Sequence, residues 1–121
     1  MARILFVDDD VLTLELMGRL VGLLGHEAVL CSIGAQAPEI ACQEKPGLIL
    51  VDLSLSDKDG LDVITELHQL PATARIPVFV LSAGISPKIS EAAARAGAWG
   101  CLEKPLSLDV LNQVIKKHAL N

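Results

Sequence analysis

Three observations predict an α/β fold with a parallel sheet covered by helices on both faces. First, short apolar runs alternate with helical patterns five times along the chain. Second, apolar residues make up 51% of the 121 and the mean hydropathy is +0.48. Strands buried on both faces account for this, because they read as continuous apolar runs. Third, aspartates, a serine and a lysine fall at the ends of these runs, where an open parallel sheet places its ligands.

The first strand is expected at Arg3–Val7. Asp10 is placed to cap a helix over Val11–Leu24, with an apolar stripe of Leu16, Met17, Leu20, Val21 and Leu24, and Gly25 ends it. Leu12, Leu14 and Leu23 flank that stripe as either a docking surface or ordinary stripe edges. A second strand is expected at Glu27–Cys31 and a second helix near Ala35–Glu44. The Lys45-Pro46-Gly47 turn leads to a third strand, Leu48–Leu53. A polar loop, Ser54 to Gly60, precedes a third helix at Leu61–Leu70. Pro71 and Pro77 bracket the way to a fourth strand, Val78–Ser82, and a fourth helix covers Pro87–Ala96. A fifth strand is predicted at Ala98–Leu102, and Ser107 caps a last helix, Leu108–His118. With no linker, repeat or low-complexity tract, residues 1–121 read as one domain.

Composition excludes several functions. The apolar stretch from Val11 to Leu24 is interrupted by Thr13, Glu15, Gly18 and Arg19, so no membrane span is expected. A cationic start and a small-residue cleavage site are missing, which argues against a signal peptide. With 10 basic and 15 acidic residues the net charge is −5, and no basic run offers itself to nucleic acid. Phe6, Phe79 and Trp99 are too few for a base-stacking platform. Cys31, Cys42 and Cys101 lack metal-site spacing and read as reduced thiols of a cytoplasmic protein. His26, His68 and His118 lie far along the chain from the acidic motifs and read as surface residues.

The chemistry concentrates in a few positions. Asp8-Asp9-Asp10 follows the first strand, and adjacent carboxylates repel unless a cation joins them. A hard divalent ion such as Mg2+ suits such oxygen donors. Asp10 alone is also explained by a helix N-terminus favouring negative charge. Asp52 ends the third strand, Ser82 ends the fourth, and Lys104 follows the fifth. All converge on one edge of the sheet, as an acid pocket with one fixed positive charge suited to phosphoryl chemistry.

In this order and spacing, ILFVDDD (4–10), LILVDLSLSDKDG (48–60), VFVLSAG (78–84) and AGAWGCLEKP (96–105) resemble the receiver domain of two-component response regulators, in its single-domain, chemotaxis-regulator-like form. The resemblance covers the whole chain. It implies a flavodoxin-like fold of strand order 2-1-3-4-5 and Mg2+-dependent phosphoryl transfer from a histidine to an aspartate. Carried over by residue, it implies that Asp52 is the phosphoacceptor. Asp8, Asp9, Asp52 and the Ser54 backbone carbonyl would hold Mg2+. Ser82 and Lys104 would stabilise the phosphoryl group, with a cis bond at Pro105. It implies a signalling module rather than an enzyme, although one that catalyses its own phosphorylation and dephosphorylation. The donor would be a histidine kinase or a histidine phosphotransfer protein. Output would be a switched contact with a protein target, as a monomer or a phosphorylation-dependent dimer. The chain is expected to stand alone or to lack its output domain.

Three features depart from the family pattern. Leu55 and Ser56 replace its usual Met-Pro, which predicts a more mobile loop crowded by Asp57, Lys58 and Asp59. Cys101 stands where the family carries an aromatic or histidine ring that turns inward, so signalling would rely on Ser82 and the loop after it. Ala83-Gly84 follows Ser82 and predicts a site open to water, with fast self-dephosphorylation. Trp99 lies two before Cys101, which predicts that both share a strand face. Either it anchors a partner or dimer mate, or it packs over the fourth helix. The rival of a different class is a pseudo-receiver, a binding scaffold that never takes phosphate. An aspartyl-phosphate phosphatase of the haloacid dehalogenase class would need a second acid where Ser54 stands.

Overall fold

The structure, a computed structural model, describes residues 1–119. Among these the elements are β1 (Arg3–Val7), α1 (Val11–Leu23), β2 (Glu27–Cys31), α2 (Ala37–Glu44), β3 (Leu48–Asp52), α3 (Gly60–Gln69), β4 (Val78–Ser82), α4 (Pro87–Ala96), β5 (Gly100–Glu103) and α5 (Leu108–His118). The strands form one parallel sheet in the order β2-β1-β3-β4-β5. This is the flavodoxin-like arrangement that the resemblance implies.

Strand alternation divides the core into two layers. Ile4, Phe6, Leu48, Leu50, Phe79 and Leu81 face α1 and α5, where Met17, Val21, Leu111 and Ile115 meet them. Leu5, Val7, Ile49, Val51, Val78 and Val80 face the other way, against Ala41, Val63, Ile64, Leu67 and Ala93 of α2, α3 and α4. β1, β3 and β4 are thus covered on both sides, which explains their unbroken apolar sequences. Side-chain caps begin four helices: Asp10 for α1, Asp59 for α3, Ser86 for α4 and Ser107 for α5. Among the described residues, no helix is long and apolar enough to cross a membrane.

Several details differ from expectation. Leu14, Met17 and Val21 form the buried stripe of α1, and Leu16 is 52% exposed. At 3.6 residues per turn, Leu16 lies about 200° around the helix from Leu14. The second helix opens with a 3-10 turn, Gly34–Gln36, and becomes α-helical at Ala37, with Pro38 in its first turn. β3 stops at Asp52 and β5 starts at Gly100, so Trp99 precedes the strand. The shared face predicted for Trp99 and Cys101 is therefore not found. Trp99 is 55% exposed and sets its ring against His118 of α5 at 5.8 Å, edge to face. Cys101 packs into the α3–α4 layer. The histidines also have neighbours: His118 lies 4.9 Å from the Phe79 ring, and His26 Nδ1 accepts from the Ala2 N–H at 3.0 Å.

Gly60 marks where α3 starts against the end of β3. A Cβ there would stand 2.3 Å from the Asp52 carbonyl oxygen and 2.9 Å from Leu53 Cα. These are backbone atoms and have little room to yield. Gly60→Ala is predicted to lower folding stability by about 1–3 kcal/mol, read as a lower urea midpoint.

Candidate functional site

β1 and β3 are neighbours and β5 lies beyond β4, with all their carboxyl ends on one edge of the sheet, where Asp8 follows β1, Asp52 ends β3 and Lys104 follows β5. Asp8 is 2% and Asp52 7% exposed. One carboxylate oxygen of each accepts from a backbone N–H two residues on: Asp8 Oδ1 from Asp10 at 2.9 Å and Asp52 Oδ1 from Ser54 at 3.2 Å. The other oxygen of each meets the same ammonium. Lys104 Nζ lies 3.1 Å from Asp8 Oδ2 and 3.2 Å from Asp52 Oδ2. Asp9 completes the group, since one oxygen from each of Asp8, Asp9 and Asp52 lies within 4.8 Å of the others.

Asp10 belongs to the helix instead. Its carboxylate accepts from the Leu12 N–H at 3.2 Å and the Thr13 hydroxyl at 2.7 Å. The Thr13 bond leads in holding its pKa below the usual value. The run of three aspartates thus splits into two site carboxylates and one cap.

Burial pushes the Asp52 pKa up, and the neighbouring Asp8 charge adds to this; the Ser54 N–H and Lys104 oppose it. For Lys104, burial works to lower the pKa, but the bonds and charges of Asp8 and Asp52 outweigh it and hold it above its ordinary value. One cation therefore faces three carboxylates. All-oxygen donors with an excess of negative charge fit a hard divalent ion.

Ser82 reaches the same edge but its side chain is engaged elsewhere. It is 7% exposed, and its hydroxyl donates to the Gly84 carbonyl at 2.7 Å. Its own carbonyl accepts from the Lys104 N–H at 2.8 Å, which ties β4 to the lysine's backbone. The Lys104–Pro105 peptide is cis. Gly84 has no neighbour within 4 Å of a Cβ position. Beside Lys104 runs a half-open apolar groove of about 270 Å3, lined by Thr13, Leu16, Met17, Leu81, Pro105 and Leu106.

The loop after Asp52 is more restrained than its missing proline suggests. Asp57 accepts from the Gly34 N–H at 2.9 Å and the Ala35 N–H at 3.1 Å. Lys58 pairs with Glu66 of α3. The bonds of Asp57 cross between loops 22 and 23 residues apart, so no local motif signals them.

The family model for the response regulator receiver domain matches residues 4–116. The transcriptional regulatory protein GlrR of Escherichia coli (strain K12) is 32% identical over 114 residues, covering 94% of this chain and 25% of the relative. The chain spans about a quarter or less of the length of the curated relatives it matches. The chemotaxis protein CheY4 of Vibrio cholerae superposes with a TM-score of 0.92 over 98% of both chains at 21% identity, a likeness of fold. The receiver domain of the sensor histidine kinase PA1611 of Pseudomonas aeruginosa PAO1 superposes at 0.87 with 25% identity, covering 97% of this chain and 96% of that one. It holds a magnesium ion in its active-site cleft.

The raised pKa of Asp52 sets a sign for stability. The unfolded chain releases this proton first, near the ordinary value of 3.8. Stability then falls as pH rises from there through the folded value. Asp52→Asn removes that loss. Without divalent cations at pH 7 the variant is predicted to melt at a higher temperature than the parent, and the gap shrinks as pH falls toward 3.8. Thermal unfolding across pH checks this, and a less stable variant at pH 7 contradicts it.

Proposed function

Since the chain belongs to the response regulator receiver domain family, a signalling module of two-component systems, we propose that Asp52 accepts a phosphoryl group from a phosphohistidine donor. The observation that carries this reading is the Lys104 ammonium shared between the buried carboxylates of Asp8 and Asp52, with Asp9 alongside. Asp8, Asp9, Asp52 and the Ser54 carbonyl would hold Mg2+. When bound, the ion neutralises the clustered carboxylates and the phosphoryl oxygens.

In the transfer, an Asp52 carboxylate oxygen attacks phosphorus and the P–N bond to the donor histidine breaks. The bonding pair leaves with the imidazole, and Asp52 becomes an acyl phosphate. Little covalent chemistry is asked of the protein, so its task is positioning and charge stabilisation. Lys104 stands within hydrogen-bond reach of Asp52 Oδ2 and would turn to the new phosphoryl oxygens. The Ser82 hydroxyl would give up the Gly84 carbonyl and donate to the phosphoryl group. That exchange pulls on the loop between β4 and α4. Because Cys101 offers a thiol in place of a ring, the exchange would carry the switch.

A histidine kinase or histidine phosphotransfer protein fits as donor. The groove beside Lys104 and the exposed Val11, Leu12 and Leu16 of α1 offer it an apolar seat. Leu14 is core and takes no part. Output would be a protein contact made by a monomer or a phosphorylation-dependent dimer, with exposed Trp99 as a candidate anchor. A net charge of −5 supports no direct contact with nucleic acid. Residues 1–121 would act as one receiver unit, and three free cysteines support a reducing, cytoplasmic setting.

Intact mass after incubation with acetyl phosphate and Mg2+ tests the reading. One added phosphoryl group is expected, absent in Asp52→Asn and absent without Mg2+. Open space at Gly84 predicts that the modification decays by hydrolysis, and a lifetime of many hours contradicts that part. No gain from acetyl phosphate or from a histidine phosphodonor, in folded protein that binds Mg2+, would favour a phosphate-independent scaffold.

A further inference from the structure

We propose that Asp57 is a positioning residue, which braces the acceptor loop against the segment after β2 and so presents the Ser54 carbonyl to the metal; this rests on the reading above. The segment Cys31–Ala35 touches both halves of the site. The Cys31 carbonyl accepts from the Asp8 N–H at 3.0 Å, fixing the backbone of one carboxylate loop. Three and four residues on, the Gly34 and Ala35 N–H groups donate to Asp57 in the other carboxylate loop. The two loops are thus held in register by one short stretch of chain.

The fit between them is close. A Cβ on Gly34 would stand 2.9 Å from Leu55 Cδ1, 3.2 Å from Asp57 Oδ1 and 3.3 Å from Val63 Cγ2. The glycine lets the acceptor loop lie directly on the 3-10 turn, and Asp57 secures it there with two charge-assisted bonds. Asp57 lies outside the carboxylate cluster of Asp8, Asp9 and Asp52. It acts through the loop it holds. Ser56 leaves this loop without a proline's restraint, and the Asp57 brace restricts the same backbone by tertiary contact. Without it, ordering the loop would be charged against metal binding.

Partners behind a metal's direct ligands change affinity by roughly tenfold or more. Asp57→Ala is therefore expected to raise the Mg2+ dissociation constant, measured by calorimetry, by roughly tenfold. Phosphorylation by acetyl phosphate should slow at limiting Mg2+ and recover at saturating Mg2+, a change in apparent affinity rather than in maximal rate. Gly34→Ala, which pushes on the same contact from the other loop, should give the same split. Asp57→Asn keeps an acceptor oxygen and should restore part of the affinity. Arg3→Ala, which removes the contacts of Arg3 with Glu27 and Glu44 at the opposite end of β1, controls for general loss of stability.

Unchanged Mg2+ affinity in Asp57→Ala overturns the proposal, as does a loss that Arg3→Ala matches at equal melting temperature. If the parent protein takes no phosphate at all, the phosphoacceptor reading fails, and the Mg2+ titration still decides the role of Asp57.

Discussion

Lys104 lies between two carboxylates that the sheet has taken out of water, and the organisation of the site follows from that contact. Asp8 follows β1 and Asp52 ends β3, and these strands pair directly, so the sheet itself sets their spacing. Like charges about 4 Å apart near a protein surface repel by on the order of 4 kcal/mol. One ammonium shared by two carboxylates offsets part of that, and Asp9 adds a third charge. The remaining imbalance has two outlets. Asp52 keeps its proton to higher pH, or a divalent ion enters. The same imbalance raises the Asp52 pKa and leaves an all-oxygen cluster whose chemistry fits a divalent ion.

The backbone around the site is arranged to satisfy its polar groups and to let its loops approach closely. Asp8 and Asp52 each satisfy an N–H two residues on, and among the described residues no buried side-chain polar atom lacks a partner. Gly60 lets α3 start against the end of β3, and Gly34 lets the loop after Asp52 settle on the turn after β2. At the other end of the sheet, Phe79, Trp99 and His118 form a small ring cluster where β5 meets the end of α5. The charged edge and the aromatic edge are joined by β4 and β5, the strands that carry Ser82 and Cys101.

Much of this was legible in the sequence, because apolar runs bounded by Gly, Pro and Asp report buried parallel strands directly. Placing Asp8, Asp52, Ser82 and Lys104 on one edge needed only the strand ends and the parallel topology. What escaped depends on contacts distant in sequence. Leu14 and Leu16 are equally apolar, and the packing against the sheet decides which is buried. Trp99 reads as part of a strand only when alternation is carried two residues too far, to Ala98 instead of Gly100. The hydrogen bond of Ser82 to Gly84 is a rotamer choice that composition does not report. The Asp57 brace joins two loops with no common motif, so a loop read as loose from its missing proline is tied on two sides.

A crystal structure with Mg2+ and beryllium trifluoride, a mimic of the phosphoryl group, would test the central claim most directly. Metal is expected on Asp8, Asp9, Asp52 and the Ser54 carbonyl, and trifluoroberyllate on Asp52. Lys104 Nζ would be turned to the fluorines and Ser82 released from Gly84. Asp52 free of trifluoroberyllate, with Lys104 still shared between Asp8 and Asp52 and the metal bound elsewhere, would contradict it.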